Sequence, residues 1–286
     1  MKTARPPRTS RVRSAPLAIF VATRAEMKPI ATALQPTGPS ASRSDLIVRI
    51  GVGGRDLLLV KTGVGPDRAE AAARHLFEAE PVVAALSLGV AGGLSPQAQT
   101  GDLIVGDRVI LQCSGQAPVD GTQDGLRPRS GQDLQGQQGS RLEDFPCDVG
   151  LRQAAMTVIR RLDSRHRLGP ILTVDHILTT EEKRVLAAES GALAVDMESA
   201  AIASAASACS IPFLAIRGIL DPVHEDLAVG LDQFLDAEGE PHLPRLMRYL
   251  IAHPFAIPYL IGLGFRTRAV CTRLGRLLQE LSTTLS

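Results

Sequence analysis

Residues 192–221 read ALAVDMESAAIASAASACSIPFLAIRGILD, and the fold follows from how they are read. Ala192–Met197 is an apolar run interrupted only near its end, by Asp196, and is expected to be a short strand. Ser199–Ala208 is alanine and serine around Ile202. Alanine loses no side-chain entropy in a helix, so this stretch is expected to be helical. Phe213–Ile219 is apolar apart from Arg217 and Gly218, and the turn signal Asp221-Pro222 closes it. Strand, helix and strand at this spacing build a parallel sheet.

The same alternation runs through most of the chain. Strands are expected at Leu17–Ala22, Leu46–Ile50, Leu57–Lys61, Val82–Leu88, Leu103–Leu111 and Ile171–Val174. Helices are expected at Arg24–Leu34, Pro66–Ala79, Leu151–Leu162 and Thr180–Glu189. The class is therefore α/β: a central mixed, mostly parallel sheet flanked by helices on both faces. Ligands of such sheets sit at the carboxyl ends of the strands. Three segments fall outside the rhythm. Residues 1–15 are a disordered basic tail, residues 113–148 a polar loop insertion without apolar periodicity, and residues 236–286 an apolar-basic extension. Residues 16–235 form the one catalytic-sized domain between them.

Composition excludes several classes. The 286 residues carry a net charge of +1, far from the basic excess of a nucleic-acid binder. Cys113, Cys147, Cys209 and Cys271 are scattered without metal-ligand spacing, which fits reduced thiols in the cytoplasm. No apolar stretch of about 20 residues suits a bilayer span. Neither a dinucleotide-binding nor a Walker A glycine pattern is met, so no nicotinamide or ATP fingerprint is present.

Glycine-rich turns are expected after strands at Gly51–Gly54, Gly63–Gly65 and Gly89–Gly93, where backbone can approach a ligand or simply turn tightly. Asp196 and Glu198 stand where a strand gives way to a helix, a place that also suits a helix cap. Asp221 ends a strand, and Glu26 opens a helix. Each acid alone has an ordinary structural explanation. All three sites fall at carboxyl edges of strands in one sheet, and that convergence suits an active site.

Ser87-Leu-Gly-Val-Ala-Gly-Gly-Leu-Ser-Pro96, Thr100-Gly-Asp-Leu-Ile-Val105, Val195-Asp-Met-Glu-Ser-Ala-Ala-Ile202 and Phe213-Leu-Ala-Ile-Arg-Gly-Ile-Leu-Asp221 resemble the purine nucleoside phosphorylase and nucleosidase superfamily, and Lys61-Thr-Gly-Val-Gly-Pro66 fits its early glycine turn. The resemblance covers roughly residues 17–221 and is strongest to the methylthioadenosine and S-adenosylhomocysteine nucleosidase branch. It implies a three-layer nucleoside phosphorylase-like fold and cleavage of a purine N-glycosidic bond, without a cofactor. It further implies Asp221 as general acid for the purine N7, Glu26 as the residue orienting the attacking water, Glu198 on the ribose hydroxyls and Met197 packed on the sugar. Gly89, Ala91 and Gly92 are implied as lining residues, with Ile177 and Leu178 flanking the base. Leu220 departs from the branch, which usually has serine beside the acid. Arg24 is a candidate for binding phosphate as co-substrate or a solvated charge, so the choice between water and phosphate stays open here.

The chain continues for 65 residues beyond Asp221, where the nucleosidases of that branch end soon after. This extension, with His253-Pro254, resembles the hopanoid-associated phosphorylase subgroup. That likeness implies release of adenine from adenosylhopane, a lipid nucleoside. Leu263, Val270, Leu274, Leu277 and Leu281 recur at helical spacing among Arg266, Arg268, Arg273 and Arg276. This reads as a basic amphipathic helix for peripheral membrane contact, with ordinary core or dimer packing as the alternative. On the first reading, truncation after about residue 240 leaves the core folded. The expected partners are a small nucleoside, with a lipid-linked or a soluble 5′ group, and a second copy in a homodimer, with no nucleic acid. Competing functions are a methylthioadenosine or S-adenosylhomocysteine nucleosidase, a plain purine nucleoside phosphorylase, and a non-catalytic nucleoside-binding protein.

Overall fold

The computed structural model describes residues 15–37, 41–42, 46–113, 141–225, and 252–285 apart from Pro254, together with Arg245 and Arg248. The basic tail up to residue 14, most of the polar insertion and most of 226–251 lie outside the described residues.

The elements run β1 (Leu17–Val21), α1 (Arg24–Ala33), β2 (Ala41–Ser42), β3 (Ile47–Val52), β4 (Arg55–Lys61), α2 (Pro66–Ala79), β5 (Ala84–Gly93), β6 (Leu103–Cys113) and β7 (Arg141–Pro146). They continue with α3 (Val149–Arg161), β8 (His166–Thr173), α4 (Thr180–Ser190), β9 (Ala194–Asp196), α5 (Ser199–Ala208), β10 (Phe213–Asp221) and α6 (Ala256–Thr284). One mixed sheet holds all ten strands in the order β10-β6-β8-β9-β5-β1-β4-β3-β2, with β7 on β6. Because β10 also pairs with β5, the strands β5, β10, β6, β8 and β9 close into a ring, and β1, β4, β3 and β2 extend from it. The sheet is α/β in class, as expected, with β1 parallel to both β4 and β5, and β10 parallel to β5.

Burial explains the strand sequences. Every residue of β1 and of β10 is buried, which is why both read as continuous apolar runs rather than alternations. Two expected boundaries need correction. Gly89–Gly93 is not a turn after the strand but its carboxyl half, since β5 runs to Gly93 and pairs there with β9. The polar insertion is shorter than 113–148, since Arg141–Pro146 forms β7 against β6. Alternation in that short segment is hidden by its charges.

The extension is the larger correction. Val270, Leu274, Leu277, Leu278 and Leu281 of α6 are buried in the main hydrophobic core. A Cβ at Gly275 would lie 2.6 Å from the Ile30 carbonyl oxygen and 2.7 Å from the Ala33 Cβ, so α6 meets α1 at a distance only glycine permits. Four of the five stripe residues expected to face lipid therefore face protein. Burying five such side chains is worth on the order of 10 kcal/mol, comparable with the net stability of a whole domain. Truncation after residue 240 removes a wall of the core. The first half of α6 and its N-cap differ: Phe255, Ile257, Ile261 and Phe265 are 95%, 39%, 54% and 70% exposed. No helix among the described residues is long and apolar enough to cross a membrane.

Candidate active site

The ends of β1, β5, β9 and β10 and the starts of α1, α4 and α5 meet around a cavity of about 310 Å3, lined by Glu26, Ala91, Gly92, Ile177, Leu178, Lys183, Met197, Glu198, Leu220 and Asp221 among others. It lies at the carboxyl ends of β1, β5 and β10, where a sheet of this class binds its ligands.

Glu26 arrives by a capping box. Its Oε2 accepts from the Thr23 amide at 3.0 Å and the Thr23 hydroxyl at 3.1 Å, while Thr23 Oγ1 accepts from the Glu26 amide. Its Oε1 accepts from the Val90 amide at 3.0 Å. The structural role and placement in the cavity thus belong to the same carboxylate, which keeps lone pairs for a further donor. Gly89 lies beneath it rather than in the lining: a Cβ there would come within 2.6 Å of both Glu26 Oε1 and Arg217 Nη1.

Glu198 occupies the N-cap position of α5, yet its side chain caps nothing. Asp196 does that work instead, its Oδ1 accepting from the Glu198 and Ser199 amides and from Thr173 Oγ1. Asp196 Oδ2 accepts from Arg217 Nε at 2.6 Å, and Arg217 also donates to Ser87 and Ser199 hydroxyls. Glu198 is left to face the cavity, where its Oε1 accepts from the Gly65 amide at 3.0 Å. Gly65 can present that amide because its φ is +103°, a conformation strained for other residues. Burial, then the charge of Asp196, pushes the Glu198 carboxyl up to about 8 against the pull of Arg217.

Asp221 is 1% exposed. Its Oδ2 accepts from Lys183 Nζ at 2.5 Å, and Lys183 also donates to the Glu225 carbonyl at 2.9 Å. Burial pushes the Asp221 carboxyl up to about 6, although Lys183 draws it down. No group of three or more potential metal ligands occurs among the described residues.

The cavity therefore gathers Asp221, Glu26, Glu198, Met197, Ala91, Gly92, Ile177 and Leu178, with Gly89 as the floor under Glu26. It does not gather Arg24. That residue lines a separate groove with Lys28, Arg268 and Arg276. Sequence reading passed over Lys183, His176 and Thr267, all in the lining. Lys183 left a signal: it shares a helix face with Leu186 and Ala187 at i+3 and i+4, and a lysine on an apolar face calls for a buried acid.

Comparisons with known proteins agree with this geometry. Residues 16–252 match the model of the phosphorylase superfamily. A futalosine hydrolase of Streptomyces coelicolor is 30% identical over 214 residues, covering 72% of this chain and 84% of the relative. A 5′-methylthioadenosine/S-adenosylhomocysteine nucleosidase of Oceanobacillus iheyensis is 24% identical over 188 residues, covering 65% of this chain and 77% of the relative. The fold matches the crystal structure of a nucleosidase of that name from Helicobacter pylori with a TM-score of 0.67 at 16% identity, covering 95% of this chain and 99% of the other. The chain belongs to the phosphorylase superfamily and is an enzyme that cleaves N-glycosidic bonds.

Proposed function

We propose that this member of the phosphorylase superfamily hydrolyses a purine nucleoside to release adenine, and that its nucleoside carries a lipid-like 5′ group of the adenosylhopane kind. The observation that carries the hydrolysis is the convergence of Asp221, Glu198 and Glu26 on one buried cavity. A purine leaves as a neutral base only when a ring nitrogen is protonated. Asp221, held up to about 6 by burial, suits the role of acid for N7. The C1′–N9 bond then breaks with its electron pair on the base, and positive charge develops on the sugar. Glu198 grips the ribose hydroxyls and stabilises that charge. Glu26, fixed from three sides, orients water toward C1′ and takes its proton. Water is favoured over phosphate because Lys183 is the one Lys or Arg in the described lining, and it is engaged with Asp221.

The lipid-like group is supported by α6. Its Thr267 lines the cavity, while Ile257, Ile261 and Phe265, one turn apart, are exposed on its outer side. Farther along the helix, Arg268 and Arg276 share a groove with Arg24 and Lys28. An apolar stripe continued by cations, on the helix that also supplies Thr267 to the cavity, suits an interface with anionic lipid. The names of the curated relatives favour a second reading, a soluble 5′-thio nucleoside or futalosine.

The test is product analysis. The enzyme is incubated with adenosylhopane in vesicles and with 5′-methylthioadenosine in solution, each with and without phosphate. Free adenine with the reducing sugar, faster from the vesicles, supports the proposal. Sugar 1-phosphate would overturn hydrolysis, and preference for the thionucleoside would overturn the lipid substrate.

A further inference from the structure

The lysine in the cavity is the least expected of its charged groups. Leu220, next to Asp221, offers the carboxyl no polar contact. The partner comes instead from α4, whose Lys183 crosses to Asp221 Oδ2 at 2.5 Å with both side chains 2% exposed. A second bond from Nζ to the Glu225 carbonyl fixes the ammonium just beyond the end of β10. An ion pair so deeply buried is costly unless its geometry is good, and here it is joined to the proposed general acid.

We propose that Lys183 is a positioning residue of the reaction: it holds Oδ2 of Asp221, leaves Oδ1 for the base, and balances the charge that appears on Asp221 as its proton departs. This rests on the reading of Asp221 as the acid. The proton passes from Asp221 to N7 while the C1′–N9 bond breaks and its electron pair stays on the base. The carboxyl becomes a carboxylate, and the Nζ–H···Oδ2 bond becomes fully charge-assisted. Lys183 gives up no proton. Water then adds to C1′ and its proton goes to Glu26, and exchange with solvent returns a proton to Asp221. The benefit falls on the transition state, where the carboxylate is forming, more than on the bound nucleoside. The charged groups around the pair are Glu225 after β10, Arg266 of α6 bonded to Glu225, His176 before α4, Glu26 of α1, and Glu198, Asp196 and Arg217 across the cavity.

The experiment is a double-mutant cycle on the full chain, with 5′-methylthioadenosine and adenosine as probes. Lys183→Met is expected to lower kcat by about 10- to 100-fold, the loss of a hydrogen bond to a charged group, with KM little changed. The limb of the pH profile that belongs to Asp221 should move to higher pH, because the cation that draws its proton off is gone. In an Asp221→Asn background the same substitution should cost almost nothing, since its effect passes through Asp221. Equal losses in both backgrounds, or an unmoved limb, overturn the proposal. Wild-type turnover in Asp221→Asn alone would instead overturn the reading of Asp221. If Lys183→Met alone does not fold, the double variant, which carries no buried charge at either position, is compared with Asp221→Asn. Equal turnover supports the proposal, and a further loss overturns it.

Discussion

Arg217 lies against Asp196 with its Nε 2.6 Å from Oδ2, and the two side chains are 3% and 1% exposed. Asp196 lines one edge of the cavity and Arg217 lies behind it. Asp196 uses its other oxygen to hold the turn into α5, so the pair sets the direction of Glu198 without itself lining more than one edge of the site. Burial works against the charge of Arg217, but Asp196, Glu198 and Glu26 together outweigh it.

Asp196→Ala should therefore act on stability first. It leaves a buried guanidinium without its nearest carboxylate, and breaking such a pair typically costs about 3–5 kcal/mol. Denaturant unfolding of the variant measures this. A loss under about 1 kcal/mol would show that Arg217 finds another partner and that the pair does not organise the turn.

Gly89→Ala should act on catalysis more than on the fold. The added methyl would meet Glu26 Oε1 and Arg217 Nη1 at 2.6 Å, and the flexible carboxylate gives way before the buried strand does. For the proposed water-orienting role of Glu26, a displacement of about 1 Å costs roughly 100-fold. Normal kcat in the variant would mean that Glu26 tolerates the shift and does not position the nucleophile.

This layering explains what the sequence made legible. Asp221, Glu198 and Glu26 could be found because each ends a strand or opens a helix, and strand and helix limits leave periodic traces. The α/β class and the limits of α2 and α5 were legible for the same reason. The closure of the sheet was not, because the β5–β10 pairing joins residues more than 120 positions apart and no local pattern encodes it. The fate of α6 was hidden by symmetry of appearance: a Leu/Val stripe at helical spacing looks alike whether it meets lipid or α1. Only the glycine at 275 hinted at close helix packing.

The pH profile follows from two raised carboxyls. On the proposed mechanism the reactive form has Asp221 protonated and Glu198 ionised, although Asp221 stands at about 6 and Glu198 at about 8. Between these values the gain of one form cancels the loss of the other, so kcat/KM is level. Below about 6 acid only neutralises Glu198, and above about 8 base only ionises Asp221, so activity falls on both sides. Glu198→Gln should raise KM, lower kcat and leave a profile that falls above about 6, since the gain from ionising Glu198 no longer offsets the loss of the Asp221 proton. A level stretch still reaching to about 8 in that variant would remove Glu198 from the assignment.

The last prediction separates the two halves of α6. Phe255, Ile261 and Phe265 are exposed and belong to no core, so replacing all three by serine should leave thermal unfolding and turnover of a soluble nucleoside near wild type. Binding to vesicles rich in phosphatidylglycerol should fall sharply, because each large side chain withdrawn from water at an interface contributes about 1.5–3 kcal/mol. Each arginine beside an anionic surface adds about 1 kcal/mol, and that part is screened over roughly 8–10 Å as salt rises. Flotation at low and high salt, with phosphatidylcholine vesicles as the uncharged control, distinguishes the two contributions. Truncation after residue 240 should behave differently, unfolding the protein through loss of the Val270–Leu281 face. Should the intact enzyme ignore anionic vesicles, and the serine variant change from dimer to monomer by light scattering, the exposed face is a seat for a second copy of the chain, and the lipid-like 5′ group loses its physical support.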